Sequence, residues 1–403
     1  MADLTLMRTL HQPADTKMVL LVMDGLGGLS VAPGGPTELE AAETPNLDRL
    51  AAEGTLGQTI PVRAGITPGS GPGHLALFGY DPITFEVGRG VIEASGVGMR
   101  VGKGDVAARG NFCTVDASGK ITDRRAGRIP SDEARPLVER LDAIELPGVQ
   151  IDVRVLREYR FGIVMRGEGL GPHIHDTDPL ETGEAPLRAV ASDPDSEHTA
   201  DLVNAWVKEA RKALADEPKA NALTLRGFSA NPHLPQFDEI YGLNAACVAV
   251  YPMYKGVAHL VGMQVQTFDG ESPSDEFSAV KSIWSAHDFF FIHIKKTDSL
   301  GEDGDFEKKA AMIEKVDAAL PELLDLSPDV LAVTGDHSTP ARMKYHSWHP
   351  VPVLLWAPTT GRADGHKAFG ETACSQGGLG TLPASDLMPL MMAHAGRLAK
   401  FGA

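Results

Sequence analysis

Residues 18–24 read MVLLVMD, an apolar run that closes on an acid and is followed by Gly25. A run apolar at every position leaves no solvated face. It therefore reads as a strand buried on both sides, which implies a parallel sheet covered by helices. The pattern returns at FFFIHIKKTD (289–298), DVLAVTGDH (329–337) and VPVLLWAP (351–358). Helical patterns stand between these runs. In TPNLDRLAAEG, Thr44 suits the N-cap, Pro45 the first turn and Gly54 the stop. DFEKKAAMIEKVDAAL (305–320) is amphipathic with Asp305 as N-cap, and LPASDLMPLMMAHAGRLAK (382–400) predicts a final helix. Strands alternating with helices predict an α/β fold: a mostly parallel sheet flanked by helices.

Residues 96–262 break this rhythm. They are rich in arginine and offer a long helix, TADLVNAWVKEARKALADE (199–217), and strands such as RFGIVMRG (160–167). The expected organisation is a core of residues 1–95 and 263–403 interrupted by an inserted α+β domain of residues 96–262.

Three of the apolar runs end in acids: Asp24, Asp298, and Asp336 with His337 beside it. Parallel sheets bind ligands beyond the carboxyl ends of their strands. One such aspartate alone reads more readily as a helix cap or a turn residue. Three together, with an Asp-His pair, point to a shared site. His346 and His349, in YHSWHPVPVLL, add imidazoles. Carboxylate and imidazole are the ligand types of zinc, manganese and similar divalent ions, and a site for two ions needs roughly six of them.

A site of that kind wants a nucleophile. GITPGSGPGHLALFGYDP (65–82) places Ser70 between Gly69 and Gly71, before a helical pattern. Glycines leave the hydroxyl uncrowded, and a helix N-terminus presents N–H groups to an oxyanion. A nearby metal would lower the hydroxyl pKa. Without the ligand acids the same stretch would be a Gly/Pro turn. Other motifs fail. Pro68 and Pro72 stand where a G-x-S-x-G elbow needs glycine. VGKGD (101–105) lacks the glycine spacing of a phosphate loop, and GVGMRVG misses the dinucleotide pattern.

The net charge of −17 argues against nucleic acid or an anionic membrane as partner. No apolar run approaches the length of a membrane span, and MADLTLMRTLHQPADTK lacks the apolar stretch of a signal peptide. The three cysteines, Cys113, Cys247 and Cys374, form no CxxC pair, which fits a reducing cytoplasm. Against this acidic background, Arg89, Arg100, Arg109, Arg124, Arg125 and Arg128 crowd together in sequence. Guanidinium forks match carboxylate and phosphate, so the cluster suits a small multiply anionic substrate. The alternative is pairing with neighbouring acids.

MDGLGG, TPNLDRLAAEG, GITPGSGPGHLALFGYDP, GRGVIEASGVG, ARGNFCTVD, DRRAGRI, DTDP, YKGVAHLVGM, GDHSTP and HSWHPVP together resemble the archaeal-type cofactor-independent phosphoglycerate mutases of the alkaline phosphatase superfamily. The resemblance runs from residue 18 nearly to the C-terminus, and the Ser70 segment is its most specific part. It implies an alkaline-phosphatase-like domain with an inserted substrate-binding domain. It also implies a glycolytic isomerase that interconverts 3-phosphoglycerate and 2-phosphoglycerate through a phosphoserine, without 2,3-bisphosphoglycerate. Carried over by motif, Ser70 would be the nucleophile. Asp24, Ser70, Asp336 and His337 would hold one metal, and Asp298, Glu302 and His346 the other. Lys255 and Arg124 would act in catalysis, and Arg109, Asp123 and Arg128 would bind substrate. Glu302 follows Gly301 where the family pattern has histidine. A carboxylate there favours manganese or magnesium over zinc or cobalt. The competing reading is a phosphomonoesterase or phosphotransferase on the same metal core, acting on another small phosphorylated metabolite. A third is a binding protein that keeps the fold without turnover.

Overall fold

The Met18–Met23 strand lies inside an eight-stranded sheet and is buried at every position. In the computed structural model, which describes residues 3–402, it pairs in parallel with Phe289–Ile294 on one side and Val330–Thr334 on the other. Val22 is in register with both His293 and Thr334. The carboxyl ends of three buried strands therefore lie side by side, and Asp24 and Asp336 follow within two residues of two of them. Ala245–Ala249 extends the sheet in parallel beside Phe289–Ile294, and Gln264–Val265 follows it. At the other edge Val351–Trp356 runs antiparallel to Val330–Thr334 and to Thr55–Ile60, and Gly380–Pro383 closes the sheet in parallel.

One face is covered by the helices Pro45–Glu53, Pro273–Ile283 and Phe306–Leu324. Leu47, Leu50, Phe277, Val280, Ile313, Val316 and Leu320 pack there on Val19, Leu21, Phe290, Ile292, Leu331 and Val333. Asp305 caps Phe306–Leu324 by accepting from the Lys308 amide, as its sequence position predicts.

Two element boundaries differ from the sequence expectation. The strand of 289–298 stops at Ile294, and Lys296–Asp303 is a helix. The KKT stretch has nothing apolar to bury, and Asp298 suits the positive first turn of a helix. Asp298 and Glu302 thereby fall one turn apart on one helix face. The final helix of 382–400 shortens to Leu387–His394, because residues 380–383 pair with the sheet edge and Gly396, at φ +67°, ends the helix.

The chain divides into two units at Glu86/Val87 and His233/Leu234, rather than at residues 95/96 and 262/263. Ala245–Ala249 belongs to the core sheet, and the helix Pro252–Leu260 follows it, so Lys255 is a core residue and not part of the insert. Conversely, the helix Arg89–Gly96 packs on the insert's strands. Gly90 lies so close under the Ala107 carbonyl that a Cβ would collide with it.

The insert is an antiparallel sheet of Val106–Val115, Ile121–Asp123, Gln150–Arg157, Arg160–Arg166 and Ala222–Ala230. The helices Ser131–Asp142 and Glu197–Ala213 accompany it around a core that includes Phe112, Leu137, Phe161, Val203 and Trp206. No helix among the described residues is long and apolar enough to cross a membrane.

Candidate active site

The sheet ends in a crowd of lone pairs. Asp24 is fully buried, and its Oδ2 accepts from Lys295 Nζ at 2.9 Å and from the Tyr254 hydroxyl. Its Oδ1 has no hydrogen-bond partner. Asp336, also fully buried, accepts from the Gly25 amide at 3.1 Å through Oδ1, and its Oδ2 has no hydrogen-bond partner. His337 Nε2 stands 3.3 Å from Asp24 Oδ1 and 3.2 Å from Asp336 Oδ2. Gly25 makes the crowding sterically possible. It turns at φ +62°, and a Cβ there would strike Thr339 and Asp298.

The tautomer of His337 follows from its other nitrogen. Thr339 Oγ1 donates to Asp298 Oδ1 at 2.7 Å, so it accepts from His337 Nδ1 at 3.0 Å. Nδ1 then carries the proton and Nε2 a lone pair. With both aspartates ionised, Nε2, Asp24 Oδ1 and Asp336 Oδ2 are three acceptors with no donor among them. Buried acceptors without donors are costly, and a cation is the species that satisfies them. The chemistry of the donor set thus fits a divalent ion.

Ser70 Oγ lies 3.3 Å from the same His337 Nε2. Ser70 opens the helix Ser70–Leu77, behind Gly69 as N-cap. Gly73, one turn on, packs against the Asp336 backbone so closely that a Cβ would collide with its carbonyl oxygen. The glycines of PGSGPGH thus bring the serine to the acids.

A second group adjoins the first. His346 donates through Nδ1 to the Pro68 carbonyl at 3.0 Å, which leaves its Nε2 lone pair 3.6 Å from Asp298 Oδ1. Its ring stacks on His337, with centroids 3.6 Å apart. Asp24, Asp336 and His337 form one set whose ligand atoms lie within 4.8 Å of one another, and Asp298, His337 and His346 form another. Glu302 stands at the rim, half exposed, with Oε1 3.9 Å from His346 Nε2. His349 turns to Ser347 instead.

The electrostatics match. Burial would raise the Asp24 carboxyl, but Lys295, His293 and His337 hold it well below the usual range. Burial and the Asp24 charge push Asp336 well above it, so that without a cation this carboxyl keeps a proton, which a bound divalent ion would displace. Burial holds His337 well below the usual imidazole range and His74 at about 3, so both rings are neutral. Burial and Asp298 also raise Glu302.

Several residues escaped the sequence reading. Lys309 is fully buried and donates to the carbonyls of Gly25 (2.9 Å), Gly27 (3.1 Å) and Thr339 (2.8 Å), fastening the two acid-bearing loops together. A signal existed: Lys309 shares the apolar stripe of Met312, Ile313 and Val316. His293, inside an otherwise apolar strand, stacks on Tyr254 with centroids 3.5 Å apart. His74 hydrogen-bonds the Ser70 carbonyl at 2.7 Å. Lys295 is the most directly placed of all. Burial lowers its ammonium's pKa, but Asp24 and Asp298 outweigh burial and keep it charged.

Lys255 follows Tyr254 on its helix, and its ammonium makes no hydrogen bond or ion pair among the described residues. The remaining expected residues lie in the insert. Arg109 is directly in register with Arg226 on the neighbouring strand. Like charges placed opposite each other destabilise a sheet. Arg109 is buried, meets Glu93 at 3.2 Å through Nη1, and has no hydrogen-bond partner for Nε. Arg124 forms a bidentate pair with Asp178, at 3.2 and 2.9 Å. Asp123 commits both oxygens to the amides of Arg125 and Gly127, and so shapes the loop that carries Arg124 and the exposed Arg128.

An α/β core that crowds lone pairs around a serine hydroxyl is of the class built to hold divalent cations beside a nucleophile. Similarity to known proteins narrows the class. A family model described as 2,3-bisphosphoglycerate-independent phosphoglycerate mutase matches residues 51–220. A Thermus thermophilus protein named "Probable 2,3-bisphosphoglycerate-independent phosphoglycerate mutase" is 53% identical over 401 residues, covering 98% of both chains. A Deinococcus radiodurans protein of the same name is 51% identical, again over 98% of both. The solved structure of a cofactor-independent phosphoglycerate mutase from Thermoplasma acidophilum is 31% identical, covers 94% of this chain and 100% of its own, and superimposes with a TM-score of 0.72. A Pyrococcus horikoshii structure gives 0.83 at 31% identity, over 96% of this chain and 99% of its own. The chain belongs to the 2,3-bisphosphoglycerate-independent phosphoglycerate mutase family.

Proposed function

We propose that this protein is an isomerase that interconverts 3-phosphoglycerate and 2-phosphoglycerate without a bisphosphoglycerate cofactor, and that Ser70 carries the phosphoryl group between the two hydroxyls. The observation that carries this reading is the position of Ser70 Oγ, 3.3 Å from an imidazole nitrogen that also faces the unpartnered oxygens of two buried aspartates. The names borne by the relatives agree with it.

In this reading Asp24, Ser70, Asp336 and His337 hold one divalent ion, and Asp298, Glu302 and His346 a second. A donor set dominated by carboxylates favours manganese or magnesium. Bound there, the ions would supply positive charge to activate the serine hydroxyl and neutralise the phosphoryl oxygens. Ser70 Oγ attacks phosphorus, the bond to the substrate oxygen breaks, and that oxygen takes a proton. The reverse step returns the phosphoryl group to the other hydroxyl of the same glycerate. The N–H groups that open the Ser70–Leu77 helix face the developing charge. Lys255, unpaired and one residue beyond Tyr254, is a phosphoryl contact. Arg109, Arg124 and Arg128 clamp the glycerate carboxylate and hydroxyls, with Asp123 shaping the loop that carries Arg124 and Arg128. Arg109 and Arg226 lie in register, offset by Glu93 on one side and by Asp176 and Asp178 on the other, and a bound anion would relieve the repulsion those acids leave.

The test is turnover of 3-phosphoglycerate with manganese, with 2-phosphoglycerate read through enolase and free phosphate read in parallel. Isomerisation without phosphate release is expected. Phosphate release without isomerisation would make the protein a phosphomonoesterase instead.

A further inference from the structure

Lys295 belongs to neither ligand set, yet its ammonium sits between them. It donates to Asp24 Oδ2 at 2.9 Å and also to Asp298 Oδ2. Asp24 is a member of one set and Asp298 of the other. In each case the ammonium takes the outer oxygen. Asp24 Oδ1 is left facing His337 Nε2 at 3.3 Å, and Asp298 Oδ1 faces His346 Nε2 at 3.6 Å. The Tyr254 hydroxyl grips the same outer oxygen of Asp24. The lysine is itself well anchored. Its residue directly follows the buried Phe289–Ile294 strand and stands at the N-cap position of the helix that carries Asp298.

The charge around it explains why a cation belongs there. Asp24, Asp298 and Asp336 are buried carboxylates within one small site. Without a compensating charge they repel one another and would turn apart or take up protons. The other buried lysine, Lys309, directs its ammonium to backbone carbonyls. Only Lys295 among the described lysines reaches these carboxylates.

We propose that Lys295 is the resident cation of the metal site: its ammonium ties the two ligand sets together and holds their inner oxygens aligned before divalent ions enter. The inference rests on the two-metal reading above. It has a cost built in. A fixed positive charge beside both ion positions opposes the ions it prepares for, so alignment is gained and affinity is lowered. Lys295 is therefore a positioning residue.

The test compares wild type, Lys295→Met and Lys295→Arg, each stripped with chelator and then titrated with manganese, by thermal unfolding and calorimetry. Metal-free Lys295→Met should unfold several degrees below wild type. Manganese should raise its midpoint by more than it raises wild type's, and should bind roughly tenfold more tightly once the like charge is gone. Folding of Lys295→Met only in the presence of manganese would be the same result in stronger form. Lys295→Arg, which keeps the charge, should stay near wild type in both measurements. A lysine that merely packs would lower the midpoints with and without metal equally and would not tighten binding. An unchanged metal-free midpoint, weaker manganese binding by Lys295→Met, or a Lys295→Arg that behaves like Lys295→Met overturns the proposal. Wild type that binds no manganese overturns the two-metal reading itself, which separates the two failures.

Discussion

Ser70 owes its position to residues that have no chemistry of their own. Gly73 admits the Asp336 backbone, and Gly69 opens the helix turn, so the hydroxyl arrives beside His337 without strain. Ser70→Ala should therefore remove turnover and leave the unfolding midpoint nearly unchanged, as seen by coupled assay and circular dichroism. Retained isomerisation would refute its role. Glu302 is the sharper case, because it stands at the rim, half exposed, at the position where the sequence resemblance leads one to expect histidine. Glu302→Gln should lower manganese occupancy from two ions towards one while stability moves little, read by elemental analysis of the purified protein. Full occupancy with full activity would remove Glu302 from the ligand set. Away from the site, Glu276 is a buried carboxyl whose Oε2 has no hydrogen-bond partner, and burial pushes its pKa to about 9. The folded state therefore holds a proton that the unfolded chain releases above its ordinary carboxyl range. Stability from this group is complete below about pH 4.5 and falls as pH rises towards 9, by on the order of 1 kcal/mol per pH unit. Glu276→Gln keeps the shape without the titration. Its midpoint should match wild type near pH 5 and exceed it at pH 8.5; parallel profiles for the two proteins would show that Glu276 ionises freely.

Among the elements, the Pro45–Glu53 helix shows how a sequence signal can name the right place and the wrong donor. Thr44 stands at the N-cap, but its side chain makes no capping bond. Asp317, three turns into the Phe306–Leu324 helix, reaches across instead. It accepts from the Leu47 amide at 2.7 Å and the Asn46 amide at 3.3 Å, and from the Asn46 side chain at 3.1 Å. Asp317→Ala should thus cost about 2 kcal/mol in urea unfolding, the price of orphaning buried amides, and Thr44→Ala clearly less. Equal losses would return the cap to Thr44. The same division runs through the rest of the chain. Strands apolar on both faces, and the acids that close them, could be read from single runs because burial on both sides leaves a local trace. Asp24, Asp336 and His337 were legible for that reason, Ser70 through its glycines, and His346 only through the resemblance, since the residues alone offered His349 equally. Asp298 was found although its element was misread, since a residue just past a strand reaches the site from strand or helix alike. Lys295, Lys309, Tyr254 and Asp317 act across long stretches of chain, and nothing in their own neighbourhoods states whom they meet. Ala245–Ala249 was missed as a core strand because alanine-rich runs carry weak strand preference and gain their place only by packing.

At the scale of the whole molecule, the core is assembled from both ends of the chain. Met18–Met23 sits between strands that arrive more than 260 residues later, and the insert of residues 87–233 separates them. Closing a loop of that length costs entropy that only a completed sheet repays. The insert faces no such delay. Its sheet pairs within itself, and its apolar cluster, from Ala108 to Leu225, is drawn entirely from its own residues. A segment with a private core and ends that meet should fold by itself. Residues 87–233 expressed alone should therefore unfold cooperatively in urea, reported by Trp206, the unit's single tryptophan, which is wholly buried. Residues 1–86 alone should show no transition, because Met18–Met23 would lack both of its neighbours. If the isolated insert gave a solvent-exposed Trp206 and a sloping, non-cooperative curve, its core would depend on the rest of the chain. Arginine placement supplies a second reading from the same material. With Arg109 and Arg226 in register and Asp176, Asp178 and Glu93 only partly offsetting them, phosphate or 3-phosphoglycerate should raise the insert's midpoint, and Arg226→Met should abolish that rise while itself stabilising the ligand-free unit. A rise that survives in Arg226→Met would place the anion elsewhere in the insert.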